Sequence, residues 1–103
     1  METFEKIQVI KELVTRYFDE NAGSTIGWIA LERLSEDEKN HIINIGTSIL
    51  CTKWDIGYPG GGFVQAFVDN DLMRAIGSAD GTSYKGFKFF AQLMYNVGMP
   101  VLN

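Results

Sequence analysis

The chain has 103 residues, of which 46% are hydrophobic and 21% are charged, and its formal net charge is −4. This length and composition are typical of one folded globular domain and exclude an intrinsically disordered chain. The acidic balance argues against direct DNA binding, because proteins that bind the phosphate backbone need clustered lysine and arginine to displace counterions.

The first predicted element is an amphipathic helix over Thr3–Phe18, with Thr3 as its N-cap and a stop signal at 21–23. Apolar residues recur in it at helical spacing, which defines the face expected to be buried. That face consists of Phe4, Ile7, Ile10, Leu13, Val14, Tyr17 and Phe18. A second, shorter helix is predicted over 26–34, where Gly27 and β-branched residues weaken the helical pattern.

A third helix is predicted to begin at about Glu36, because Ser35 and Glu38 have the spacing of a capping box. In that motif the serine hydroxyl accepts a backbone hydrogen bond and the glutamate returns one to the cap. The helix is expected to end at Gly57 and Pro59. Its predicted inward residues are Ile42, Ile45, Ile49, Leu50 and Trp54.

Three consecutive glycines, Gly60 to Gly62, follow this helix and are expected to allow a sharp turn. A new helix is predicted from Phe63, with Phe63, Ala66 and Phe67 on its buried face. Asn70 or Asp71 is the expected cap of the next short helix. The polar triplet at 69–71 is therefore interpreted as a junction between two helices.

The last predicted helix runs over about 83–97 and ends at Gly98 and Pro100. Its expected buried residues are Tyr84, Phe87, Phe90, Ala91, Met94 and Tyr95. No strict two-residue alternation of apolar and polar residues persists as a strand would require. The sequence therefore predicts an all-α fold, a compact single domain over 1–103 built as a bundle of four to six short helices.

Few residues in the sequence can support catalysis or metal binding. His41 is the only histidine and Cys51 the only cysteine, whereas a metal site needs several converging donors. Cys51 is expected to be a small buried apolar residue, and Asp37 and His41 are expected to form a solvated acid–imidazole pair. We therefore predict no catalytic residue, no metal and no cofactor, and a chain that is not an enzyme.

The lone cysteine also favours a reducing compartment. No stretch approaches the roughly 20 apolar residues of a membrane span, and the first residues mix acids and bases, unlike a signal peptide. The expectation is a soluble protein of the cytoplasm with no membrane partner.

A nucleotide site is one interpretation of the glycine turn, because exposed backbone N–H groups at a helix start can bind phosphate. The predicted ligand-binding residues are Gly60, Gly61, Gly62, Gln65, Asn70, Asp71 and Arg74. In this interpretation Arg74 supplies charge, and Asn70 or Gln65 contacts a base edge. The alternative, that the glycines form only a helix corner, stays open.

The candidates for binding a protein partner are three aromatic residues, Trp28, Trp54 and Tyr58. Aromatic side chains near turns can anchor a partner. In a domain this small, aromatic residues more often complete the core, and that alternative is favoured.

About forty C-terminal residues resemble a group of small bacteriophage and prophage proteins. The pattern is Gly-Gly-Phe, an apolar helix, Asn-Asp-Leu, then Ala and Ala-Asp, and later Tyr-Asn with a proline soon after. The matching residues are Gly61, Gly62, Phe63, Ala66, Asn70, Asp71, Leu72, Ala75, Ala79, Asp80, Tyr95, Asn96 and Pro100. Ser78 departs from the pattern, since those relatives often have arginine before Ala-Asp.

The resemblance implies a phage-type origin and a compact helical C-terminal half. By analogy with small phage proteins, we expect a non-enzymatic binding protein that modulates or inhibits a host or anti-phage defence component, or sequesters a nucleotide signal. This binding protein could form a homo-oligomer, and a virion or assembly accessory is the alternative function. A hydrolase with a metal bound by Asp69, Asp71 and Asp80 is a further, disfavoured one.

Overall fold

The computed structural model describes residues 1–21 and 34–102, and helices are the only regular elements within them. In chain order they are α1 (Thr3–Asn21), α2 (Glu36–Lys53), α3 (Gly62–Val68), α4 (Leu72–Ser78), α5 (Gly81–Lys85) and α6 (Phe87–Asn96). The all-α, single-bundle prediction is therefore confirmed. The helix predicted over 26–34 lies, except for Leu34, outside the described residues.

Helix α1 packs one face against α2 through Ile10, Val14 and Phe18, which are buried at intervals of four residues. The predicted helix is confirmed, although Thr3 is its first helical residue and not its N-cap. The prediction for Phe4 is wrong, since this side chain is 69% exposed. Burial along α1 begins only with the half-buried Ile7, so the first turn extends past the core.

Helix α2 begins at the predicted capping box. The Glu38 N–H donates to Ser35 Oγ at 3.1 Å, and the Ser35 N–H donates to Glu38 Oε1 at 3.3 Å. Lys85 of α5 donates to Glu38 Oε2 at 2.7 Å, and this bond is the main reason that the pKa of Glu38 lies below its usual value. The N-terminal end of α2 is thereby joined to α5.

The middle of α2 is the centre of the bundle, because it packs against α1, α3, α5 and α6. Its buried residues are Ile42, Ile43, Gly46, Thr47, Ile49, Leu50 and Cys51, which cover more than one helix face. Gly46 allows α1 and α6 to pack closely against α2, because a Cβ there would lie 2.8 Å from Leu93 Cδ1 and 3.2 Å from Val14 Cγ1. A helix buried on several sides does not show a single apolar stripe in sequence.

The chain leaves α2 earlier than predicted, at Lys53, with Trp54 as its C-cap. Positive φ angles occur at Asp55 (57°) and Gly57 (72°). The left-handed residues therefore precede Gly60–Gly62, where the sequence predicts a sharp turn. The Ile56 N–H donates to the Cys51 carbonyl at 2.8 Å and closes this turn.

The junction between α3 and α4 is confirmed. Phe63, Ala66 and Phe67 are buried as predicted. Asp71 caps α4 by accepting a hydrogen bond from the Arg74 N–H at 3.2 Å, and Asn70 adopts a left-handed φ of 59°.

The predicted final helix is two helices, α5 and α6, that meet at Gly86. Ser83 is buried in α5, and α6 buries Phe89, Phe90 and Leu93. The predicted burial of Tyr84 and Tyr95 is therefore wrong, since both side chains are exposed. Phe89 packs edge-on against Phe18 of α1 with ring centroids 5.3 Å apart.

Candidate functional site

An apolar groove of about 320 Å³ lies between the α3–α4 junction and α6. It is lined by Phe67, Asn70, Leu72, Ala91, Met94 and Tyr95, and we refer to it as the α4–α6 groove. Three of these residues, Asn70, Leu72 and Tyr95, belong to the pattern that resembles phage proteins, although some 23 positions separate Leu72 from Tyr95 in sequence.

The walls of the groove are fixed by core contacts. The Phe67 ring packs against Phe87 and Phe90 of α6 with centroids 5.6 and 5.9 Å away. The Lys53 ammonium donates to the Met94 carbonyl at 2.7 Å, which attaches the last turn of α6 to the end of α2. The groove is thus part of the folded bundle.

The rim of the groove exposes large apolar side chains. Leu72 and Ile76, four residues apart on α4, share a helix face and are about half exposed. Met73 is 81% exposed and Tyr95, on the opposite rim, is 84% exposed. Leu72 and Tyr95 line the groove, whereas Met73 and Ile76 are exposed on α4 outside its lining. Clustered exposed apolar side chains are typical of interaction sites, while single exposed apolar residues are not.

A small charged cluster lies at one end of the groove, around Asn70. Arg74 Nη2 donates to Asp69 Oδ2 at 3.5 Å, and Arg74 Nη1 lies 3.9 Å from Asp71 Oδ2. Two carboxylates share one guanidinium, so the cluster carries one net negative charge. The predicted role of Arg74 toward a nucleotide stays a prediction, and any such ligand would compete with these carboxylates.

The glycine turn and Gln65 are mostly bonded to one another and to α2. The Gly60 N–H donates to Thr52 Oγ1 at 3.0 Å, and Gln65 Nε2 donates to the Gly60 carbonyl at 2.6 Å. A Cβ at Gly61 or Gly62 would meet no atom within 4 Å. The corner interpretation accounts for Gly60 and Gln65, and the prediction of a ligand at Gly61 and Gly62 remains open.

The three aromatic residues predicted to bind a partner lie in different environments. Tyr58 is 97% exposed, whereas Trp54 is half-buried and packs against the core. Trp28 lies outside the described residues. The structure therefore does not bring these side chains into one described surface.

A polar cluster that the sequence did not indicate joins α2 to the start of α5. His41 Nε2 lies 3.1 Å from Asp80 Oδ2 and 3.4 Å from the buried Ser83 Oγ. A Ser–His–Asp triad uses a different imidazole nitrogen for each partner. Here Asp80 and Ser83 both contact Nε2, so the three side chains lack the geometry of a catalytic triad.

Asp80 is the N-cap of α5, and its Oδ1 accepts a hydrogen bond from the Ser83 N–H at 2.6 Å. This bond is the main reason that the pKa of Asp80 is lowered, and the nearby His41 adds to the effect. The spacing Asp-x-x-Ser could have indicated the cap from sequence. His41, predicted to pair with Asp37, could not have been assigned to a carboxylate 39 positions away.

Replacing Asp80 is expected to change the acid sensitivity of folding. A carboxylate whose pKa is lowered by folding stabilises the native state above its unfolded pKa, and this contribution is lost as pH falls through the folded pKa. Asp80→Ala should cost about 1 kcal/mol at neutral pH through loss of the cap, and Asp80→Asn should cost less. Urea unfolding between about pH 6 and about pH 2 should show that the free energy of unfolding falls less with decreasing pH in both variants than in the original chain. An equal dependence of the unfolding free energy on pH in the original chain and both variants would contradict the assignment of this acid sensitivity to Asp80.

The described residues do not assemble the carboxylates of the disfavoured hydrolase alternative. Asp69 and Asp71 contact Arg74, whereas Asp80 contacts His41. No group of three histidine, cysteine, aspartate or glutamate side chains able to bind a metal occurs in 1–21 and 34–102. Cys51 is buried as predicted, and burial raises the pKa of its thiol.

None of the helices in the described parts of the chain is both long enough and apolar enough to span a bilayer. Comparisons of the chain with protein-family models, with curated proteins and with solved structures found no match.

Proposed function

We propose that this chain is a non-enzymatic, phage-type binding protein that modulates or inhibits a host or anti-phage defence component in the cytoplasm. In this proposal the α4–α6 groove binds an apolar segment of the partner protein. The observation that carries it is an apolar groove of about 320 Å³ in whose lining Leu72 and Tyr95 are 53% and 84% exposed.

The exposed apolar side chains of the groove favour a binding role for two physical reasons. Leaving this apolar area in water forgoes roughly 25 cal/mol for each Å² that could be buried. Methionine side chains adapt to differently shaped partners because they are unbranched and flexible, and tyrosine is enriched at binding hot spots. Met94 and Tyr95 combine these properties in the lining of the groove.

The charges beside the groove indicate the chemistry of the partner segment. Asp69, Asp71 and Arg74 together carry one net negative charge at the end marked by Asn70, and the whole chain carries −4. Complementary charge speeds association and disfavours acidic competitors. At the α6 wall the Lys53 ammonium lies 2.7 Å from the Met94 carbonyl and adds a positive charge. The proposed occupant is therefore an apolar segment with a lysine or arginine at the Asn70 end of the groove.

The test begins with affinity capture from a bacterial lysate and continues with the purified captured protein. We expect that protein to bind with a Kd that Leu72→Ser and Tyr95→Ala each raise by at least about tenfold, the effect of losing a hot-spot side chain. The activity of the captured protein should change when the original chain is added and should not change with Leu72→Ser. Circular dichroism checks that each variant remains helical.

The matched control is Phe4→Ala, which removes an exposed aromatic ring on α1, a helix that does not line the groove. It should bind as the original chain does. A partner affinity that falls only with Tyr58→Ala would place the partner surface at Tyr58, one of the three aromatic candidates from the sequence, and overturn the groove assignment. Groove variants that convert an oligomer of this chain to a monomer would show that a second copy occupies the groove, which also overturns it.

A further inference from the structure

A second concave site lies between α1, α2 and the loop that follows α2, away from the α4–α6 groove. Its volume is about 310 Å³, and we refer to it as the α1–α2 cleft. The residues that matter here are Gln8, Lys11, Asn44, Cys51, Ile56 and Tyr58. A volume near 300 Å³ is at the small end of ligand-binding sites, so the cleft suits a small molecule.

The buried part of the cleft is mostly apolar and includes Thr47, whose hydroxyl donates to the Ile43 carbonyl at 2.8 Å, and the rim of the cleft is polar. Cys51 and Ile56 are buried, and the raised pKa of the Cys51 thiol keeps it uncharged. Gln8 and Asn44 are exposed on α1 and α2. Their amide groups can donate and accept hydrogen bonds at once, which is the pattern that the edge of a nucleobase requires.

The charge of the cleft is opposite to that of the protein. Among the described residues that line it, Lys11 is the one charged side chain, and no carboxylate is present, although the whole chain carries −4. Within 1–21 and 34–102, no carboxylate oxygen lies within 4 Å of the Lys11 ammonium. Lys11 can therefore bind an anionic ligand without breaking an existing ion pair.

Tyr58 is an exposed aromatic residue on an anchored loop. On one side of it the Ile56 N–H bonds to the Cys51 carbonyl at 2.8 Å, and on the other the Gly60 N–H bonds to Thr52 Oγ1 at 3.0 Å. The ring itself is 97% exposed. An aromatic ring held at the edge of a cleft can stack with a planar ligand.

We infer that the α1–α2 cleft binds a nucleoside monophosphate, with the base stacked on Tyr58, the phosphate bonded to Lys11, and Gln8 and Asn44 hydrogen-bonded to the base or ribose. The single cation can contact one phosphate group and offsets part of its charge of about −2 at pH 7, whereas a di- or triphosphate would add negative charge without a second partner. This site is independent of the α4–α6 groove, so either proposal can fail without the other.

The test is isothermal titration calorimetry of the full chain with AMP, GMP, CMP and UMP. We expect at least one of them to bind with a Kd below about 1 mM. The matching nucleoside, which lacks the phosphate, and ribose 5-phosphate, which lacks the base, should each bind about tenfold more weakly. If none of the four nucleotides gives a heat of binding, the inference is overturned. A nucleoside that binds as tightly as its monophosphate would also overturn it.

Three variants locate the site. Lys11→Gln removes the charge and Tyr58→Ala removes the ring, and each should weaken nucleotide binding by about tenfold. Lys88→Gln is the matched control, because it removes an exposed lysine of α6 that does not line the cleft, and it should bind as the original chain does. Nucleotide affinity that survives both Lys11→Gln and Tyr58→Ala places the ligand elsewhere and overturns the assignment.

Discussion

Phe89→Ala is expected to destabilise the protein by about 3–5 kcal/mol, the usual cost of truncating a buried phenylalanine. Phe89 is 0% exposed, and its ring contacts Tyr17 and Phe18 of α1 and Phe90 of α6. Gly46 of α2 faces the same ring, since a Cβ there would lie 3.4 Å from Phe89 Cε2. The cavity would therefore lie where α1, α2 and α6 meet, and a small domain has only about 5–15 kcal/mol of total stability. Urea unfolding followed by circular dichroism should show a much lower midpoint or an unfolded variant.

Phe4→Ala is the control that separates a core role from a general effect of removing an aromatic residue. The helical pattern of α1 predicts that Phe4 is buried, while the structure leaves it mostly exposed. Exposed substitutions usually change stability by less than about 0.5 kcal/mol. A loss of stability from Phe4→Ala comparable to that from Phe89→Ala would contradict the observed packing of α1.

Local signals predicted the helices better than they predicted which residues are buried. The capping box at Ser35 and the polar junction at Asp71 are interactions between near neighbours in sequence, and both were predicted from spacing. The split at Gly86 was missed, since a glycine inside an apolar helical pattern does not by itself mark a break. The exposure of Tyr95 was also missed, because the buried face of α6 is formed by Phe89, Phe90 and Leu93.

The candidate sites depend on contacts between distant parts of the chain, and such contacts have no local signal. Leu72 and Tyr95 line one groove because α3 packs against α6, which no spacing rule predicts. Likewise, Lys11 and Tyr58 share a cleft only because α1 packs along α2. The sequence did single out Tyr58 and Asn70, but it grouped Tyr58 with Trp54, which does not line the cleft, and Asn70 with the glycine turn, which does not line the groove.

Gly60→Ala is expected to cost about 3 kcal/mol, the upper part of the range for inserting a methyl group into a packed site. A Cβ at Gly60 would lie 2.5 Å from Ser48 Oγ, 2.6 Å from Val64 Cγ1 and 2.7 Å from Val64 Cβ. Val64 is buried on α3, and its Cβ cannot move without the backbone. The substitution should therefore separate the glycine turn from α2, which thermal unfolding would detect as a lower Tm.

Gly61→Ala and Gly62→Ala test whether the rest of the glycine triplet has a role beyond folding. Neither Cβ would meet any atom within 4 Å, and φ at Gly61 is −71°, which any residue adopts. Gly62→Ala should keep or raise stability by up to about 1 kcal/mol, because alanine restricts the unfolded chain more than glycine does. Gly61 is the N-cap of α3, where alanine is less favourable than glycine, so the two effects oppose each other and Gly61→Ala should change stability little. Partner and nucleotide affinities measured for these stable variants then decide the open question. Affinities equal to those of the original chain would make the triplet a helix corner built around Gly60. Loss of nucleotide binding in a fully folded Gly61→Ala would instead place the phosphate at the glycine turn and contradict the assignment to the α1–α2 cleft.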